Sequence, residues 1–235
     1  MTSFHFGSRQ RRLFGYYEPA QANLSRVRAV LLCHPMGNEQ VFAYRTMRQL
    51  AARLVRSGFH VLRFDYFGTG DSYGDTGEGD LASWCEDIET AIEELKDMTG
   101  ATKINLAGLR LGANLSARVA AHRSKEINKL VLWEPLVADE LAVAGFGCPA
   151  PRADRNPRLI GSDIMEGYAR AAIPSKAALL PPSTLVILTA RPPSPTEFGS
   201  LAVEYVGEDS AWIEERLYTG SIPVGAMQRI VDWLQ

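Results

Sequence analysis

Beyond His122 the chain has no histidine. The four it carries, His5, His34, His60 and His122, fall in the first part of a 235-residue sequence. Imidazole chemistry, the usual acid–base device near neutral pH, therefore has to come from that part. Cysteine is as sparse: Cys33, Cys85 and Cys148 are odd in number and widely spaced. That excludes a thiolate metal pattern and an obvious disulfide framework, and Cys33, closing an apolar run, reads as a small core residue. No apolar run approaches the roughly 18 residues of a membrane span. Met1 to Arg12 has no apolar signal core, so a cytoplasmic protein is expected. The net charge of −2 gives no reason to expect nucleic acid or a membrane surface as partner. There is no internal repeat and no low-complexity tail. Neither a metal nor an organic cofactor is expected.

What is present is enough chain for one large α/β domain with a full core. Arg11 to Tyr17 reads as an edge strand in a hairpin with Ser3 to Phe6. Arg28 to Cys33 is a continuous apolar strand of the kind covered on both faces. Val41 to Ser57 has helical periodicity through Tyr44, Met47, Leu50, Ala51 and Leu54, with Gly58 at its C-terminal end. His60 to Tyr66 is a strand, Phe67 to Gly79 a glycine-rich loop, and Asp80 caps a helix over Leu81 to Met98. Further strands are expected at Lys103 to Ala107, Lys129 to Trp133, Thr184 to Thr189 and Ala211 to Tyr218. Helices are expected at Leu111 to His122 and from Pro223 to Leu234. Strand and helix alternate throughout, which predicts a doubly wound, mostly parallel sheet. Residues 137–182 break the rhythm with a Pro-rich patch and one helix-like stretch, and are read as a small helical and loop cap inserted in a single domain spanning 1–235.

Three motifs carry the chemistry. The first is Cys33-His34-Pro35-Met36-Gly37, directly after a strand. The second, Phe64-Asp65-Tyr66-Phe67-Gly68-Thr69-Gly70-Asp71-Ser72, follows the next strand. The third is Gly108-Leu109-Arg110-Leu111-Gly112, a Gly-x-X-x-Gly turn between a strand and a small-residue helix. In this order and spacing they resemble the α/β-hydrolase superfamily over nearly the whole chain: an oxyanion loop, a D-x-x-G-x-G-x-S loop and a nucleophile elbow. The resemblance implies an α/β-hydrolase fold with the residue at position 110 thrust into the active site. That residue is arginine, always charged and no nucleophile. The implied acid position after Leu185 to Ala190 reads Arg191-Pro192-Pro193-Ser194-Pro195, with no carboxylate until Glu197. The implied base position near Ser221 to Gly225 has no histidine. Ser-His-Asp hydrolysis by the standard residues is therefore not expected, and Ser72 and Ser116 are weak substitutes.

Backbone donors survive such side-chain losses. The resemblance implies Leu111 N–H and Met36 N–H as the oxyanion hole. Arg110 is read either as a clamp for a substrate carboxylate or as half of an internal salt bridge, with Glu134 as partner. His34 is the remaining imidazole near the cleft, as general acid or base or as a brace for its loop. Glu39 flanks the same loop, and Asp65 is expected to brace the glycine loop. Tyr44, Tyr66, Phe67, Trp133 and Phe146 are candidates to line an apolar pocket, against the plainer reading that each packs in the core.

Three functions stay open. One is non-hydrolytic proton transfer beside a carbonyl, such as epimerisation of a peptide or natural product; the chain is similar here to atypical, triad-less α/β-hydrolase-fold proteins of peptide natural-product pathways, typified by the epimerase of bottromycin biosynthesis. The second is a ligand- or peptide-binding pseudo-hydrolase. The third is an esterase or peptidase-like hydrolase with another nucleophile, similar to serine hydrolases found beside exosortase or biosynthetic gene clusters. The partner expected in each case is a small molecule or modified peptide.

Overall fold

The structure, a computed structural model, describes residues 1–21, 26–75, 78–136, 180–181, 183–189, 198, 200–207 and 222–235. The expected cap lies outside these residues apart from Leu180 and Pro181, as do Phe146, Cys148 and the expected strand at 211–218.

Eight strands form one sheet: β1 (Thr2–Gly7), β2 (Arg12–Glu18), β3 (Ala29–Cys33), β4 (His60–Asp65), β5 (Ile104–Leu109), β6 (Ile127–Trp133), β7 (Thr184–Leu188) and β8 (Ala202–Tyr205). Their order is β1-β2-β4-β3-β5-β6-β7-β8. β1 and β2 pair antiparallel, as do β2 and β4, and every later pairing is parallel. The hairpin expected from the sequence is present, but β1 is the edge and β2 lies inside it. β3, β5 and β7 are buried at every position, as parallel strands covered on both faces must be. β8 is half exposed and too short and polar to have been read as a strand.

Helices α1 (Asn38–Arg56) and α4 (Val224–Leu234) cover one face, α2 (Leu81–Thr99) and α3 (Leu111–His122) the other. α1 lays Met47, Leu50, Ala51 and Leu54 on the sheet, where each fully buried leucine is worth about 1.5–3 kcal/mol. It starts ahead of the expected Val41 because Gly37, at φ +63, turns the chain straight from the loop after β3 into helix. α2 is fixed at its start by a capping box between Asp80 and Ser83 and at its end by Gly100 in the left-handed region. Both devices satisfy backbone groups that a helix end leaves bare. No helix among the described residues is long and apolar enough to cross a membrane.

Candidate active site

The chain leaves β3 for β4 on one side and then crosses to β5 on the other. The carboxyl ends of β3 and β5 thus flank the point where the winding reverses, the place where open α/β sheets bind ligands. His34-Pro35-Met36 follows β3 and Arg110-Leu111 follows β5. The two segments touch: a side chain at Gly112 would overlap the carbonyl oxygens of Cys33 and His34, and one at Gly108 would overlap the backbone of Gly112. Both elbow glycines are there because strand, helix and oxyanion loop meet too closely for a Cβ.

Between them Arg110 adopts φ +53, ψ −123, a conformation costing of order 1–3 kcal/mol for a residue with a side chain. The surroundings impose it. Arg110 N–H donates to Trp133 O at 3.0 Å, and its own carbonyl accepts from Ala113 N–H at 2.9 Å. Glu134, at the end of β6, is the other non-glycine residue with positive φ among those described, at +45. The two are joined, Arg110 Nη1 donating to Glu134 O at 3.4 Å. Strain collected at the carboxyl ends of adjacent strands is what a nucleophile elbow looks like, here with a guanidinium in the nucleophile's seat.

Residues 24–159 match the sequence profile of the serine aminopeptidase family S33, more than half of the chain. The chain belongs to family S33. No curated protein matches it. Solved structures similar to it include Est1E from Butyrivibrio proteoclasticus with ferulic acid bound, at 16 % identity over 98 % of this chain and 99 % of that one, TM-score 0.66. The thioesterase domain from the curacin biosynthetic pathway is 15 % identical over 100 % and 99 %, TM-score 0.65. The enol-lactonase from Burkholderia xenovorans LB400 is 19 % identical over 98 % and 99 %, TM-score 0.59. At these identities they establish the fold, which is that of the α/β hydrolases.

In this S33 chain the arginine has a carboxylate partner, and it is not the expected one. Arg110 Nε donates to Glu39 Oε1 at 3.0 Å, with the two side chains 12 % and 19 % exposed. The Glu134 carboxylate turns instead to Thr189, accepting from its backbone N–H and, at 2.6 Å, from its hydroxyl. Glu134 meets Arg110 through its carbonyl only because its backbone is flipped to positive φ, which a sequence does not show. The expected Arg110–Glu134 ion pair is therefore replaced by Arg110–Glu39.

Leu111 N–H and Met36 N–H have no hydrogen-bond acceptor among the described residues, and both residues are buried. Leu111 is the first residue of α3, where an amide has no intrahelical acceptor and the helix dipole favours negative charge. Buried donors without an acceptor are one thing an oxyanion hole requires.

His34 is not placed to titrate. It is 3 % exposed, and burial, reinforced by the charge of Arg63, pulls its pKa down to about 3. A neutral, buried imidazole whose Nδ1 has no hydrogen-bond partner among the described residues does not shuttle protons near neutral pH. Its relatives are equally structural: His5 bonds Asp71 O and His60 bonds Tyr17 OH. Ser72 accepts from Phe14 N–H at 2.8 Å and donates to Asp65 O at 2.5 Å. Ser116 is fully buried and donates to Gly112 O at 2.7 Å. Cys33 is fully buried, its thiol pushed up to about 12 by burial. None of the three is poised as a nucleophile.

The aromatic candidates divide. Tyr66 is fully buried against Phe64 and Trp84, so it belongs to the core and not to a pocket wall. Phe67 lies under the Arg11 guanidinium at 4.4 Å, and its N–H donates to Asp87, so it anchors the glycine loop. Tyr44 is 43 % exposed on α1, 5.9 Å from Arg63. Asp65 braces the glycine loop as expected, accepting from Gln40 Nε2 at 3.0 Å and Asp71 N–H at 3.1 Å. One residue was missed: Asn114, buried in α3, exchanges two 2.8 Å bonds with the backbone of Leu136. A lone amide on an otherwise apolar helix face was the available signal. Among the described residues no group of three or more His, Cys, Asp or Glu could hold a metal.

Proposed function

We propose that the chain is a cytoplasmic, oxyanion-stabilising enzyme that transfers a proton on the carbon next to a carbonyl, epimerising or isomerising a peptide or natural-product substrate without hydrolysing it. The observation that carries this is Arg110 in the elbow. Where acyl transfer needs a nucleophile, the chain holds a permanent cation beside two backbone N–H groups suited to a negative oxygen. Such a constellation lowers the energy of an enolate as well as that of a tetrahedral intermediate. The sequence adds that no histidine follows the elbow helix.

The substrate class follows from the charge. Arg110 pairs with a carboxylate, that of Glu39, in the resting site, and the substrate class taken here is a peptide or small molecule whose reacting carbonyl, and an acid group beside it, a guanidinium also matches. Est1E, of the same fold, has been solved with ferulic acid bound, itself a carboxylic acid. No cofactor is part of the proposal.

The test is incubation of the purified protein with a peptide and metabolite extract in D2O, read by mass spectrometry, with Arg110→Ala as control. A gain of about one mass unit in one compound, lost in the variant, supports proton transfer. Cleavage with gain of water points to a hydrolase with another nucleophile. A compound retained unchanged points to a binding protein. Either of the last two results overturns the proposal.

A further inference from the structure

Resting on that reading, we propose that Glu39 is the catalytic base: its carboxylate takes the proton from carbon while Arg110, Met36 N–H and Leu111 N–H hold the enolate oxygen. Elimination leads there first. Around the elbow, the Asp65 carboxylate accepts from Asp71 of the glycine loop and from Gln40 of α1, the Glu134 carboxylate accepts from Thr189, and His34 is buried. Of these side chains only the Glu39 carboxylate accepts from the Arg110 guanidinium among the described residues; Glu134 meets it through its backbone carbonyl.

The architecture argues the same way. The segment after β3 supplies one oxyanion donor, Met36, and three residues on one carboxylate, Glu39. The elbow supplies the second donor, Leu111, and next to it one cation, Arg110. The 3.0 Å bond from Arg110 to Glu39 ties the two halves together, so a carbonyl set on the two N–H groups lies beside both charges. Glu39 sits in the first turn of α1, where the helix dipole favours the carboxylate form.

Charge bookkeeping removes the obvious objection that a carboxylate paired with arginine is a feeble base. The C–H bond breaks, an O–H bond forms on Glu39, and the electron pair moves to the carbonyl oxygen. Before the step Arg110 faces an anionic Glu39; after it, Arg110 faces an anionic enolate. The guanidinium is never left without a counter-ion and the net charge of the site does not change, so the step avoids the large cost of an isolated charge in a poorly solvated place. Return from Glu39 of a proton exchanged with solvent restores the original configuration with label; inversion takes its proton from water on the opposite face of the enolate, and Glu39 then loses its proton to solvent. Glu39 is 19 % exposed, enough for its proton to exchange with water between turnovers.

The experiment uses two defined probes, the N-acetylcysteamine thioesters of N-acetyl-L-alanine and N-acetyl-L-glutamate, incubated in D2O with the full chain, Glu39→Gln and Glu39→Asp. Wild type is expected to place one deuterium on the α-carbon. Glu39→Gln, which keeps an acceptor for Arg110, is expected to lose about 10²–10⁴-fold of the rate at saturation, the usual worth of a general base, with KM little changed. Glu39→Asp keeps a base and is expected to fall between. Exchange by Glu39→Gln at the wild-type rate overturns the assignment of Glu39 and leaves the proposed function standing. No exchange by wild type on either probe overturns the proposed function and the assignment with it. Should Glu39→Gln not fold, Glu39→Asp decides: a slower rate at unchanged KM supports the assignment, and an unchanged rate overturns it.

Discussion

Arg110 Nε and Glu39 Oε1 lie 3.0 Å apart, joining the elbow after β5 to the helix that follows β3. In an elbow that carries serine this space belongs to the nucleophile. Here it is filled by an ion pair little exposed to water. Removing one partner leaves the other charge in a poorly solvated place, so Glu39→Ala is expected to destabilise the fold by roughly 1.5–3 kcal/mol, the worth of a hydrogen bond to a charged group. Glu39→Gln should cost less, because an acceptor stays in reach. Urea denaturation of the three proteins checks both statements.

Placing a serine at the elbow is not expected to make a hydrolase of the chain. Arg110→Ser supplies a hydroxyl, but no histidine follows the elbow helix, and His34 is buried and neutral. The variant is expected to hydrolyse p-nitrophenyl esters on the order of 10⁴-fold or more below a complete triad. A fluorophosphonate label should fail to react with it. Hydrolysis near triad rates would mean that a base exists which these residues do not supply.

The close approach at Gly112 makes a sharper test of the local geometry. A Cβ there would overlap the carbonyl oxygens of Cys33 and His34, which are backbone and cannot swing aside. Gly112→Ala is therefore expected to cost roughly 1–3 kcal/mol or more by overpacking, and to displace the loop that carries Met36. Loss of thermal stability together with loss of any turnover is the expected pair of results. A neutral substitution would contradict the close approach of the loop after β3 to α3.

Much of this was legible in the residues. The buried runs of β3, β5 and β7 and the spacing of three glycine motifs predict the sheet and place the elbow, because backbone packing demands glycine and apolar strands whatever the side-chain chemistry. Side-chain partners were not legible in the same way. Glu134 was a reasonable partner for Arg110 on strand adjacency, yet its positive φ sends the carboxylate to Thr189. Glu39 came forward because α1 begins at Asn38, a boundary set by the turn at Gly37. Tyr66 looks like a pocket residue in the motif and is core in the fold, since alternation along the chain ends with the strand and no longer tells the two faces apart.

His34 gives the protein a signed pH dependence. Its pKa falls from an ordinary 6.5 to about 3 on folding, so the unfolded chain binds a proton that the folded chain does not. The corresponding stability is present in full above pH 6.5 and is lost as pH falls from there toward about 3. Between pH 7.5 and 5 the loss from this group is up to about 2 kcal/mol. His34→Asn should lack that component, and urea midpoints of the two proteins at both pH values measure it. Glu126, held down to about 2 by Arg123 and Lys96, acts in the same direction but at lower pH.

The central claim is that this elbow handles an oxyanion without transferring an acyl group. The most direct measurement is incubation of the protein with the two N-acetylaminoacyl thioesters in water labelled with both deuterium and oxygen-18, read by mass spectrometry. The account predicts intact thioester carrying one deuterium on the α-carbon, no oxygen-18 in any product, and loss of the label in Arg110→Ala. Free acid carrying oxygen-18, formed at a rate that depends on the protein, would contradict it.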